Sequence, residues 1–351
     1  MAGMPAPETL LAFAPNWLGD AVMCTPALRA IKRRFPEAAL TVAGTPAVCA
    51  LLEGLPWLDA LHPVPYRAGP GELWRHARLL APHARDLAVV FPHSFRAALM
   101  ARLTGARRRL GQDRGGRRVL LTDTVQPHRE NGHIAPIYMA REYLDLLAPL
   151  GAVDDNEGLE LAAPAEETAL LRERLAGPGP LVALAPGAAF GPSKRWFPES
   201  FAKVADNLAA DCGARCVLLT GPGEEDTRDA VLAAAKTPLL QCPKGGLGML
   251  KAALSLADLL IGNDSGPRHI AIAFKTPVVC IMGPTSPAYT HSPWERGRLL
   301  RVDVDCGPCQ KPTCATDHRC MTGVTVEAVT RAARAVLAEC GLKTPRSDSS
   351  P

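Results

Sequence analysis

The chain has 351 residues, more than one ordinary hydrophobic core organises, so about two domains are expected. Apolar types make up 47% and charged types 21%, the balance of a soluble globular protein, and 39 basic against 35 acidic residues leave a formal charge of +4. That charge is too mild for a dedicated nucleic-acid binder, and no uncharged apolar run reaches the roughly 18–20 residues that span a bilayer.

The opening MAGMPAPETLLAFAP has no basic n-region and too short an apolar stretch for a signal peptide, so export is not expected. Thr9–Ala14 is a short apolar run that stops at Pro15-Asn16 and reads as a strand, followed by an amphipathic helical stretch from about Gly19 to Arg34. Ala39–Ala43 is the next strand, with Ala47–Leu52 a short helix behind it, and Asp86–Phe91 is a third strand. After a helical stretch at Ile134–Leu150 and an acidic segment at Asp154–Glu167, a second set begins. Strands are expected at Leu181–Ala185, Cys216–Thr220, Asp258–Gly262 and Pro277–Met282. Helices are expected at Phe197–Asp211, Glu224–Ala235, Leu247–Leu256 and Gly266–Phe274.

Strand–helix alternation implies right-handed βαβ units around parallel sheets. The expected architecture is α/β, with two doubly wound domains and a cleft between them. The boundary is expected near Glu166–Gly179, where helix gives way to GPGP, dividing the chain into residues 1–170 and 171–342 with a disordered tail at 343–351. In such sheets ligands bind beyond the carboxyl ends of the strands, so the strand-to-helix loops should carry the chemistry.

Four loops stand out. In PNWLGD, Asp20 lands at a helix start, either as an N-cap or as a general base for an incoming hydroxyl. PGAAFGPSKRW ends in Ser193 and Lys194, and it is either a plain turn or a phosphate cradle, with glycine spacing that fits neither a Walker loop nor a dinucleotide fingerprint. GPGEED offers Glu224–Asp226 as a helix first turn or as an acceptor for ribose hydroxyls. In GNDSGPRH an apolar strand runs into small polar residues and a Gly-Pro helix start, which is either a capped helix or a site for a diphosphate. No G-x-G-x-x-G follows the first strand, so a dehydrogenase is poorly supported.

Two clusters need separate reading. Arg102–Arg118 holds seven arginines against Asp113 alone, either a solvated basic loop or a site for an anionic partner such as a phosphorylated headgroup or an acidic sugar. The eleven cysteines are an odd number and suggest no disulfide framework, but Cys306, Cys309, Cys314 and Cys320 crowd together near His318. Their spacing is not that of a zinc ribbon; a structural metal, reduced packing thiols or a labile disulfide all fit.

Five segments carry a resemblance. They are NWLGDAVMCTPALRAIKRRFP, PHSFRAALMARLTGARRRLG, PGAAFGPSKRWFPESFAKVA, GNDSGPRHIAIAFKTPVVCIMGPTSP and CGPCQKPTCATDHRCM. Over about Leu10 to Leu337 the chain resembles the ADP-heptose:lipopolysaccharide heptosyltransferases of glycosyltransferase family nine. The resemblance implies the GT-B fold of two facing Rossmann-like domains. It implies transfer of heptose from ADP-heptose with inversion at the anomeric carbon, most like the branch that adds the second core heptose to heptosyl-Kdo2-lipid A. The branch adding the first heptose, and transferases acting further out on the core, are the alternatives.

Residue by residue, the resemblance implies that Asp20 is the general base and that Lys194 contacts the donor diphosphate and sugar. Asp264, Ser265, Gly266 and His269 lie on the family's Asp-Ser/Thr-Gly-x-x-His donor-binding signature, with Pro267 and Arg268 in its two variable places and given no role. Glu224 matches the family's ribose-contacting acid, with its neighbour Glu225 as the alternative, and Ser193 joins the donor set. Arg107, Arg108 and Arg109 gain a candidate partner in the carboxylates and phosphates of the Kdo-lipid A acceptor. Lysine and backbone binding of the diphosphate require no metal for the chemistry, leaving only a structural metal at the cysteines. The implied location is cytoplasmic, peripheral at the inner face of the cytoplasmic membrane. Two rival readings are a sugar-nucleotide epimerase of the same shape and a metal- or redox-sensing module built on the cysteine cluster.

Overall fold

The computed structural model describes residues 6–65, 69–243 and 245–341, so the expected tail at 343–351 lies outside the described residues. The chain divides into two compact units, Met1–Ala162 and Ala163–Pro351.

The first unit opens with β1 (Thr9–Phe13), the helices α1 (Leu18–Met23) and α2 (Thr25–Arg34), then β2 (Ala39–Gly44), α3 (Pro46–Leu52) and β3 (Ala60–Pro63). It continues with α4 (Pro70–Leu80), β4 (Leu87–Val90), α5 (Phe95–Leu103), β5 (Arg108–Gln112) and β6 (Asp123–Val125). A two-stranded ribbon, β7 (Arg129–Glu130) with β8 (His133–Ile134), precedes α6 (Met139–Asp145). Six parallel strands form one sheet in the order β3-β2-β1-β4-β5-β6. The helical stretch expected from Gly19 to Arg34 is split at Cys24, because Pro26 in the first turn of α2 has no N–H to continue the α1 ladder.

The second unit begins with α7 (Ala165–Arg174), β9 (Leu181–Ala185), α8 (Pro198–Cys212) and β10 (Arg215–Leu218). Then come α9 (Glu225–Ala234), β11 (Leu240–Gln241), α10 (Gly246–Leu256), β12 (Leu259–Asn263) and α11 (Gly266–Ala273). The last elements are β13 (Val278–Ile281), α12 (Pro287–Thr290), β14 (Gly297–Leu300), α13 (Arg319–Thr322) and α14 (Val326–Glu339). Its sheet repeats the first in outline, β11-β10-β9-β12-β13-β14, all parallel. The buried face that α8 and α14 cover holds Val182, Leu184, Phe201, Leu208, Ile261, Val329 and Leu337. Continuous apolar strands such as LVALA and VVCI suit a sheet covered on both faces.

The boundary falls at Ala162/Ala163, earlier than the expected division after residue 170. The reason is charge. Buried Arg29 on α2 pairs with Asp155 at 2.7 Å and Glu160 at 2.9 Å, and Trp57 Nε1 donates to the same Glu160. The acidic segment is thereby held on the first unit, while α7 packs on α10 of the second. No described helix is long and apolar enough to cross a membrane.

Candidate functional site

In each sheet the strand order reverses between the first strand and the fourth, which opens a crevice at their carboxyl ends. In the second unit those strands are β9 and β12, and the two motif loops leave from them side by side. Asn263, the last residue of β12, fixes their spacing: its Oδ1 accepts from Trp196 N at 3.1 Å and its Nδ2 donates to the Pro186 carbonyl at 2.7 Å.

Lys194 and Asp264 meet there. The lysine Nζ lies 2.9 Å from Asp264 Oδ2 and 2.9 Å from its carbonyl oxygen, with the Phe190 ring 5.1 Å away. Asp264 is 2% exposed, and it also accepts from Arg268 Nη1 at 2.8 Å and Thr285 Oγ1 at 2.7 Å. Burial alone would raise its pKa, but the charges of Lys194 and then Arg268 hold the carboxyl well below its ordinary range. Asp264 is therefore an anion committed to its neighbours. Burial, reinforced by Arg268, pushes His269 down to about 3, so its ring is neutral. Both His269 Nδ1 and Ser265 Oγ are buried without a hydrogen-bond partner. They stand at the start of α11, where unpaired N–H groups and the positive end of the helix dipole favour an anion.

Lys194 closes a short 3-10 turn (Pro192–Lys194), and α8 begins at Pro198, within a residue of the expected helix start at Phe197. Ser193 is 2% exposed, and its hydroxyl donates to the Lys311 carbonyl at 2.6 Å, while its N–H donates to the Pro312 carbonyl. His318 Nε2 lies 2.6 Å from the Ser193 carbonyl. Ser193 thus ties the lysine turn to the cysteine-rich loop. Gly191 permits the close approach: its φ is +154°, and a β-carbon there would meet the Pro312 carbonyl.

The cysteines themselves are all unpaired thiols, and no described group of three His, Cys, Asp or Glu residues is gathered to hold a metal ion. Cys306 is exposed, Cys309 and Cys314 are half-buried and Cys320 is buried. Burial raises the Cys320 thiol, and the other three thiols add to the rise.

Glu224 and Glu225 separate clearly. Glu224 Oε2 accepts from Gly221 N at 2.8 Å, and its carboxylate lies over Gly187 in the β9 loop. Glu225 is exposed in the first turn of α9, where its Oε1 accepts from Gly223 N at 3.3 Å. Glu224 is the one beside the β9 loop.

In the first unit Asp20 is the third residue of α1, whose N-cap is Trp17, so the N-cap reading is corrected. Burial raises the Cys24 thiol and the Tyr143 hydroxyl, and the Asp20 charge adds to both. Tyr143 sits beside Glu142, a buried carboxylate 2.6 Å from His93 Nε2 in the loop after β4. A cavity of about 200 Å³ is lined by Gln112, His128, Glu142 and Asp145. His93 lies in the PHSFRAALMARLTGARRRLG segment but was given no role, and nothing in the sequence singled out Glu142; the packing of α6 against the end of β4, where Tyr143 meets Phe91, joins them.

The arginine run is neither one loop nor one surface. Arg107 is exposed, 3.6 Å from Asp86, and Arg108 pairs with Asp123 at 2.9 Å. Arg109 turns inward, donating to the carbonyls of Leu120 and Ala106. Arg117 is wholly buried against the carbonyls of Gln112 and Pro92, and burial lowers it to about 10, still charged at neutral pH. These two guanidiniums satisfy backbone oxygens, so the expectation of one solvated loop is overturned.

Three comparisons bear on this arrangement. The family model described as glycosyltransferase family 9 (heptosyltransferase) matches residues 73–319. Lipopolysaccharide heptosyltransferase 2 of Escherichia coli K12 is 29% identical over 350 residues, covering 93% of this chain and 98% of that protein. A crystal structure of a family 9 glycosyl transferase from Veillonella parvula matches with a TM-score of 0.85 at 24% identity, covering 96% of this chain and 99% of that one. The structure of E. coli ADP-heptose lipopolysaccharide heptosyltransferase II matches with a TM-score of 0.80 at 24% identity, covering 95% and 99%. With its two parallel-sheet domains and a family model matched over most of its length, the chain belongs to glycosyltransferase family 9.

Proposed function

We propose that this enzyme moves L-glycero-D-manno-heptose from ADP-heptose to the lipopolysaccharide inner core, with heptosyl-Kdo2-lipid A as acceptor. The observation that carries the reading is the grouping of Lys194, Asp264, Ser265 and His269 at the β9/β12 crevice, in a chain of which a heptosyltransferase 2 covers 93%. In this reading the second unit grips the donor. A lysine ammonium has three N–H donors, and Asp264 takes two, which leaves one for a diphosphate oxygen. Ser265 Oγ and the start of α11 supply further donors, and Glu224 receives the ribose hydroxyls.

The first unit supplies the base. The acceptor hydroxyl attacks the anomeric carbon as its proton passes to the Asp20 carboxylate. The bond from that carbon to the β-phosphate oxygen breaks, and its electron pair leaves with ADP. A single displacement inverts the anomeric configuration. Charge developing on ADP is met by Lys194 and the dipole of α11. The acceptor's carboxylates and phosphates are recognised by Arg107 and Arg108, while Arg109, turned inward onto the carbonyls of Leu120 and Ala106, does not reach them. Such an acceptor places the enzyme on the cytoplasmic face of the membrane as a peripheral protein.

Transfer from ADP-heptose to a panel of truncated lipopolysaccharides, read by mass spectrometry, tests the substrate; no heptose added to heptosyl-Kdo2-lipid A would overturn it. Asp20→Ala is expected to lower turnover about 100- to 10,000-fold with ADP affinity nearly unchanged. Near-normal turnover in that variant would remove Asp20 as the base.

A further inference from the structure

Arg268 stands in a variable place of the donor signature that carries no assigned role, and Glu295 lies outside the signature, yet both side chains are buried, at 0% and 4% exposure. They form a fork: Arg268 Nε lies 2.9 Å from Glu295 Oε1 and Nη2 lies 2.6 Å from Oε2. The remaining nitrogen, Nη1, reaches Asp264 Oδ1 at 2.8 Å and Thr290 Oγ1 at 3.2 Å. Asp264 is thereby divided. One oxygen belongs to Arg268, and the other is shared by Lys194 and Thr285.

Such a pair is not explained by stability. Replacing a buried ion pair by apolar side chains of similar size is often neutral or stabilising, whereas removing one partner alone is costly. What the pair does supply is geometry, since a bidentate guanidinium–carboxylate fork has one preferred arrangement. We propose that Arg268, anchored by Glu295, is a positioning residue for the donor. By occupying Asp264 Oδ1 it prevents the carboxylate from closing on Lys194 with both oxygens, and so keeps the ammonium directed towards the anionic diphosphate. This inference rests on the reading that Lys194 grips that diphosphate.

Four proteins test it, with ADP titrated by calorimetry, donor KM and kcat measured, and thermal unfolding recorded. Lys194→Ala is expected to weaken ADP binding tenfold or more; unchanged affinity there removes the donor-site reading itself. Arg268→Met is expected to weaken ADP and raise donor KM about tenfold, with a lowered Tm and a smaller effect on kcat. Arg268→Met/Glu295→Met leaves no unpaired buried charge, so its Tm should return towards that of the wild type while ADP stays about tenfold weaker. If the double variant regains affinity together with Tm, Arg268 merely compensates Glu295, and the positioning role fails while the donor site stands. Wild-type affinity in Arg268→Met has the same meaning. Should that single variant fail to fold, the charge-balanced double variant decides the matter by itself.

Discussion

A β-carbon on Gly187 would lie 2.0 Å from Glu224 Oε1, inside the volume of the carboxylate. The glycine is there to let an acid from the β10 loop rest on the β9 loop. Gly187→Ala would displace the Glu224 carboxylate, the flexible end of its side chain, so little stability should be lost. Affinity for ADP is expected to fall about tenfold, roughly one hydrogen bond to a charged group. Glu225→Gln, altering an exposed side chain outside that contact, should leave it unchanged; titration calorimetry of the two variants checks both. Motif resemblance favoured Glu224 but left Glu225 as an alternative, because the two are neighbours in sequence. Their backbone positions, one before α9 and one in its first turn, give them different surroundings.

At the level of elements, many strands and helices were legible because their signal is local, but α4, α5 and α14 and the strands β3, β6, β11 and β14 were not read. LVALA was read to the residue, and α8, α10 and α11 lie within a residue or two of their expected ends. β5 was not legible. RRLGQ carries two arginines, and it becomes a strand because Arg109 finds carbonyls inside the unit and Arg108 finds Asp123 on the next strand. The acidic segment after α6 likewise shows no periodicity, and buried Arg29 fixes it. Arg29→Met would leave Asp155, 5% exposed, with the exposed Arg33 as its counter-ion and the Glu157 N–H as a donor. A loss of about 3 kcal/mol is expected. Urea unfolding would read it as a lowered midpoint for the first unit; an unchanged midpoint would show that the segment is held by other contacts.

For the whole molecule, the buried charges give a direction to its acid sensitivity. His269 stays neutral in the folded chain down to about pH 3, whereas an unfolded histidine accepts a proton near pH 6.5. Between those values the unfolded state binds more protons, so this contribution is fully present above about pH 6.5 and is lost as the pH falls. The lowered carboxyls of Asp264 and Asp155 act in the same sense at lower pH, below about 4. Stability should therefore decline from pH 7 to 5. His269→Gln is expected to make that decline shallower by up to about 1.4 kcal/mol per pH unit, as read by calorimetric unfolding across the range. An equal slope in variant and wild type would mean that His269 is not held neutral.

The sequence by itself determined what depends on neighbours along the chain: the alternation of strand and helix, the two parallel-sheet domains, and the small polar loops where strands end. It also carried the family, because the motifs are contiguous runs of residues. Only the tertiary structure decided which charges meet. Lys194 and Asp264 are 70 positions apart, Arg268 and Glu295 are 27, and Arg29 and Asp155 are 126. The physical reason is that a buried ion is tolerable only beside its counter-ion, and strand order rather than sequence spacing brings the two together.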